Sequence, residues 1–170
     1  MIAENPRDCG ETPWEFLHAT EKMLNCKVAL DVCASEHNSK SPAFYTKEQN
    51  GLQRTWRCKQ IKGKHMRVAW CNPPYSNVTP WIEKAIEEAI EGHTTLMLLK
   101  SDSSTKWFRL LVDYYYSTFF FLAPRIQHIA PPGVEYSSNN FASTLVVVSN
   151  YVLQGQRFRF FDWKEGRVVK

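Results

Sequence analysis

Residues 70–76 read Trp-Cys-Asn-Pro-Pro-Tyr-Ser. Asn72-Pro73-Pro74-Tyr75 suits one kind of chemistry, the holding of an amino group attached to an aromatic ring. Such a nitrogen is a poor nucleophile because its lone pair is delocalised into the ring. Two acceptors on its two hydrogens pull it toward tetrahedral geometry and aim the lone pair at an incoming methyl group. The Asn72 carboxamide oxygen is one acceptor and the Pro73 carbonyl the other, preorganised by the fixed φ of proline. Pro74 stiffens the bend and restricts the residue before it. Tyr75 offers a flat face on which a base stacks, worth ~1–3 kcal/mol. A base inside a duplex cannot reach such a pocket and has to be flipped out. The plain alternative is a rigid Pro-Pro turn. The context favours chemistry, because the tetrapeptide follows an apolar strand-like run and precedes a helix signal.

The charge pattern points the same way. No Asp or Glu occurs from Gln49 through Ile82, while Arg54, Arg57, Lys59, Lys62, Lys64 and Arg67 fall in that window. A basic run leading into the bend can neutralise phosphates, although charge runs usually form a solvated face. Arg125, beside Pro124 in a polar loop, is open to either use.

The elements that must position these residues are legible in outline. "TPWEFLHATEKMLN" (12–25) predicts a helix with Thr12 as cap, Pro13 in the first turn and Glu15 completing a capping box. "KVALDVCAS" (27–35) predicts a buried strand ending near Asp31, and "MRVAWCN" (66–72) a second that stops at the prolines. The helix over 79–91 has Thr79 as cap and Gly92 as stop. Trp81, Ile82, Ala85, Ile86, Ala89 and Ile90 make its apolar face, opposite Glu83, Lys84, Glu87, Glu88 and Glu91. "TTLMLLK" (94–100) has the continuous apolar run of a strand covered on both faces. A helix over 103–114 capped by Ser103 or Ser104, then strands at 117–123, 143–149 and 157–161, complete the chain. Alternating strands and helices predict an α/β fold with a mostly parallel sheet and an antiparallel edge. Asp31, Asn72 and Lys100 to Asp102 then fall at the carboxyl ends of strands, where such sheets bind ligands. Asp31 can cap a turn or touch a ligand. Lys100 and Asp102 can line the pocket, but capping the next helix is the expected use. His65 and His128 lack partners in the sequence and are expected at the surface. Cys71 is expected to pack.

Length and composition set the bounds. The 170 residues predict one domain over 1–170 with no separate target-recognition domain. The net charge is +4, mildly basic and alone no sign of nucleic acid. Five cysteines form no CxxC pair and no zinc-type spacing, so no metal is expected and a reduced cytoplasm is the natural compartment. No apolar run is long enough to span a bilayer, no leader is visible at the start, and no membrane partner is expected. The oligomeric state is open.

Taken together, the residues resemble the phage-type DNA N6-adenine methyltransferases (Dam-like), which use S-adenosyl-L-methionine. The resemblance runs through "TPWEFL", "LDVCASEHNSKSPAFYTKEQNGLQRTW", "WCNPPYSNVTPWIEKA" and "LLKSDSSTKWF", in family order, and covers most of residues 12–150. It implies a compact, shortened Rossmann-like methyltransferase sheet and double-stranded DNA as partner. It implies that Thr12 and Pro13 flank the methionine end of the cofactor, and that Asp31, Cys33, Ala34 and Ser35 approach the cofactor. Asn50, where the family commonly has Asp, is matched to the cofactor's adenine, and Asn139 and Asn140 lie in a late loop near the target base. No GxGxxG is present, and "DVCAS" lacks the glycines of broader methyltransferases. The alternatives on the same fold are RNA adenine or protein glutamine methylation, with N4-cytosine transfer chemically close. An alternative of another class is a non-catalytic DNA-binding module.

Overall fold

The computed structural model describes residues 10–129 and 141–169. The runs "VAWC", "LMLL" and "TLVVV" are too apolar for a surface strand, and each becomes a strand buried on both faces. In chain order the elements are α1 (Trp14–Leu24), β1 (Cys26–Asp31), a 3₁₀ turn (Gly51–Gln53), β2 (Met66–Cys71), α2 (Thr79–Ile90), β3 (Thr95–Lys100), α3 (Lys106–Asp113), β4 (Thr118–Ala123), β5 (Ser143–Val148), β6 (Phe158–Asp162) and β7 (Arg167–Val169). The strands form one sheet in the order β1-β2-β3-β5-β4-β6-β7.

Side-chain alternation sorts the core into two layers. Val68, Trp70, Leu96 and Leu98 point to one face, where Phe16 and Leu17 of α1 cover them. Ala69, Cys71, Met97 and Leu99 point to the other, under Ile82 and Ala85 of α2 and Phe108 and Leu111 of α3. The fold is therefore α/β as predicted, but the sheet is mixed rather than mostly parallel. β1-β2, β2-β3 and β4-β6 pair parallel, whereas β3-β5, β4-β5 and β6-β7 pair antiparallel. The reason is β5. It lies between β3 and β4 and runs against both, which breaks the parallel order.

Three local expectations are also corrected. Thr12 does not cap α1: Pro13 stands at that position without a side-chain bond, and Glu15 binds Lys164 Nζ at 2.7 Å instead. Thr105, not Ser103 or Ser104, caps α3, accepting from Phe108 N at 3.3 Å. In α2, Glu88 is buried and Ile90 is exposed, because Lys84 Nζ reaches Glu88 one turn on at 2.6 Å and lets the helix roll its carboxylate inward.

Candidate active site

The carboxyl ends of β1, β2 and β3 share one rim, since these strands run parallel. Asn72 leaves β2 there, and the bend follows. The Pro74 carbonyl accepts from Asn77 N at 3.1 Å, so the turn closes through the second proline. Thr79 does not cap α2 as expected but is its first residue: Val78 stands at the cap without a side-chain bond, and Pro80 lies in the first turn.

The Asn72 amide is held by its nitrogen. Nδ2 donates to the Gly10 carbonyl at 3.2 Å and to Thr12 Oγ1 at 3.4 Å. That fixes which way the amide faces. Its Oδ1 is left buried without a hydrogen-bond partner, a state that costs stability and is rare in native folds. Thr12, the expected cofactor neighbour, is 2% exposed and holds the Asn72 amide instead of capping its helix.

Tyr75 forms an aromatic corner with two residues that the sequence did not single out as site residues. Phe141 stands perpendicular to it, centroids 5.4 Å apart at 89°, and His128 meets it edge-on at 6.5 Å and 84°. Lys100, expected to cap a helix, places Nζ over both rings, 4.9 Å from Tyr75 and 4.7 Å from Phe141. Register explains this: Lys100 pairs with Ser143 at the start of β5, so Phe141 just before β5 is carried to the end of β3. Asp102 turns away and accepts from Ser104 N and Oγ. His128, expected at the surface, is half-buried, with both ring nitrogens inaccessible. Burial pushes its pKa down to about 4, only partly offset by the Gly10 backbone. His65 is exposed, as expected, and Cys71 packs in the core.

At the end of β1, Asp31 is 3% exposed. Its carboxylate accepts from Lys40 N at 2.9 Å and Cys33 N at 3.3 Å. Its backbone bonds Ala43 and Tyr45, which fold the 32–45 segment back along β1. Burial raises its pKa to about 6 against these bonds and the Lys40 charge. Ala34 N donates to Tyr45 O and Ser35 N to Asn38 Oδ1, so the Cys33–Ser35 stretch is ordered by its own loop. Asn50 is exposed with φ 50°. The next residue docks it on the rim: a Cβ on Gly51 would sit 2.1 Å from the Val32 carbonyl, so only glycine fits. Trp56 Nε1 binds the Gly51 carbonyl at 2.8 Å from below, and its ring stacks on Trp81. A cavity of about 380 Å³ lies against β1, walled by Leu30, Glu36, Tyr45, Thr46 and Gln49 among others.

The basic run is divided. Arg54 and Arg57 are exposed and follow directly from the docked 3₁₀ turn. Lys62 and Lys64 precede β2, and Lys64 lies beside Asn25 at the other end of the sheet. Six strand residues separate that end from Asn72, about 20 Å at ~3.3 Å per residue. Lys59 and Arg67 belong with them: Gln60 next to Lys59 bonds Arg67 N and O. Arg125 is exposed beyond the end of β4. Asn139 and Asn140 lie outside the described residues. Among the described residues no group of three His, Cys, Asp or Glu could hold a metal, and no helix is long and apolar enough to cross a membrane.

Known proteins share this pattern. A family model described as "DNA N-6-adenine-methyltransferase (Dam)" matches residues 2–160. A protein of Haemophilus phage HP1 named DNA N-6-adenine-methyltransferase is 37% identical over 146 residues, 85% of this chain and 80% of that one. One of Escherichia phage T1 with the same name is 40% identical over 102 residues, 60% of this chain and 40% of its own length. The chain that builds this rim belongs to the DNA N-6-adenine-methyltransferase (Dam) family.

Proposed function

We propose that the protein transfers a methyl group from S-adenosyl-L-methionine to N6 of an adenine flipped out of double-stranded DNA, in the host cytoplasm. The observation that carries this is Asn72 Oδ1, a buried acceptor without a partner, on an amide whose other end is pinned. An acceptor kept empty at an energetic cost is what an incoming N–H would fill. The Pro73 carbonyl takes the second hydrogen, since the Pro74 carbonyl already closes the turn. Tyr75 stacks the base. Polarising N6 by two fixed acceptors is preorganisation, so little has to move as the bond forms.

The residues at the end of β1 fit the cofactor by their chemistry. Asp31, anionic above its pKa of about 6, sets a negative potential behind Cys33, Ala34 and Ser35, suited to a cationic ligand. The adjoining cavity combines the Tyr45 ring with Glu36 and Gln49, acceptors suited to sugar hydroxyls. Asn50 borders it beside Gln49. When bound there, the cofactor supplies an electrophilic methyl group. Pro13 and Thr12 close the methionine side, Thr12 through its contact with Asn72. The parallel β1-β2-β3 unit supports reading the sheet as a shortened Rossmann-like methyltransferase sheet within one domain. Contacts to DNA phosphates are assigned to Arg54, Arg57 and Arg125, which lie on or next to the rim.

The test is incubation with labelled S-adenosyl-L-methionine and unmethylated DNA, then digestion to nucleosides. N6-methyladenine is the expected product. Its absence, from folded protein that binds the cofactor, refutes the reading.

A further inference from the structure

Among the described residues, His128 alone has two buried polar side-chain atoms that both lack a hydrogen-bond partner, Nδ1 and Nε2. Its position is held from the backbone. Glu11 and Ile129 form an antiparallel bridge, each N–H donating to the other's carbonyl at 2.9 Å. Gly10, beside that bridge, gives its carbonyl to the Asn72 amide. The Gly10 backbone also faces the His128 ring and raises its pKa as a weak hydrogen-bond partner, short of full hydrogen-bond geometry with either ring nitrogen. His128 thus stands beside Gly10, which also binds the Asn72 amide, and against Tyr75 and Phe141. Burial keeps the ring neutral at pH 7, so it has one N–H donor and one acceptor to offer. Leaving both buried and unpaired is costly, and the rings it meets, Tyr75 and Phe141, form the aromatic corner beside Asn72.

We propose that His128 donates a hydrogen bond to the ring nitrogen that flanks the amino group of the flipped adenine, N1 or N7, and thereby fixes the base in the plane where N6 meets Asn72. This rests on the methyl-transfer reading and adds a base contact to it. A neutral imidazole suits the task, since both N1 and N7 are acceptors. A charged ring would add a cation beside a nitrogen that itself becomes positive on methylation.

The experiment uses the full chain and a duplex carrying the site that the wild-type protein methylates, identified by sequencing methylated DNA. The target adenine is replaced in turn by 1-deazaadenine and 7-deazaadenine, each keeping the amino group and losing one ring acceptor. One analogue is expected to lower kcat/KM about tenfold, the worth of one hydrogen bond. His128→Phe, which keeps an aromatic ring against Tyr75, is expected to methylate adenine about tenfold more slowly and to treat that analogue and adenine alike. His128→Gln, which keeps a donor, is expected to recover part of the discrimination. A wild-type protein indifferent to both analogues overturns the proposal, whatever the variants do. So does a His128→Phe protein that still discriminates. Failure of the wild type to make N6-methyladenine at all refutes the parent reading instead, and the two failures are separate.

Discussion

Asn72→Ala separates the chemical role of this side chain from a structural one. The change removes three things. Two are hydrogen bonds from Nδ2, at 3.2 and 3.4 Å, both longer than the usual 2.9–3.0 Å and so each worth at most about 1 kcal/mol. The third is the stranded Oδ1, whose burial costs about 1–3 kcal/mol. Losing the bonds destabilises and losing the orphan stabilises, so the net change runs from about 1 kcal/mol destabilising to about 3 kcal/mol stabilising. For a chain of this size that is a Tm from about 3 °C lower to about 9 °C higher. Turnover behaves differently. Deleting one preorganised polar contact at a reacting centre costs about 10²–10³ in kcat. The assay is a radiolabel transfer time course beside a thermal melt, with cofactor affinity by calorimetry expected unchanged. A variant that melts more than about 10 °C lower, or that keeps over a tenth of wild-type kcat, would show that the amide is a structural pin and that its empty oxygen does no chemistry.

Asp31 gives a pH signature. Its folded pKa of about 6 lies above the ordinary 3.8, so the native state binds this proton more tightly than the unfolded chain. The resulting stability is full below pH ~3.8 and is lost as pH rises through 6, roughly 3 kcal/mol in all. In urea melts, the stability of the wild type relative to Asp31→Asn should fall by about that amount from pH 4 to 7; a constant difference refutes the assignment. Gly51→Ala drives a Cβ into the Val32 carbonyl and should destabilise by more than about 2 kcal/mol while weakening cofactor binding, read by calorimetry; a variant as stable as wild type means the turn does not dock there. Arg54→Ala and Arg57→Ala should each lower the slope of log affinity against log salt by about one, whereas Lys62→Ala and Lys64→Ala should leave it near wild type. Equal effects from all four would mean that DNA follows the whole basic run.

The sequence carried the strands well because their signal is local. "VAWC" and "LMLL" are too apolar to sit anywhere but the middle of a covered sheet, and the prolines end β2 without tertiary help. The bend itself was legible for the same reason. What was not legible depends on pairing between distant segments. Lys100 looked like part of a helix cap until the β3–β5 register brought Phe141 to its side. His128 had no partner in the sequence because its neighbours, Gly10 and Tyr75, lie over fifty residues away. Thr12 matched a capping pattern, but the Asn72 amide competed for its hydroxyl. Only the "NG" at 50–51 carried an unused local signal, since a glycine after an asparagine marks a tight turn.

The reversed strand β5 has a further meaning. Because β4 ends on the rim and β5 begins there, the chain from Ala123 to Ser143 starts and finishes on the side where DNA would dock. Antiparallel neighbours need no crossover, so a flexible connection between them can change length at about 0.6 kcal/mol for each doubling. On the methyl-transfer reading proposed above, that connection can therefore be lengthened or rewritten with the bend and the end of β1 left as they are.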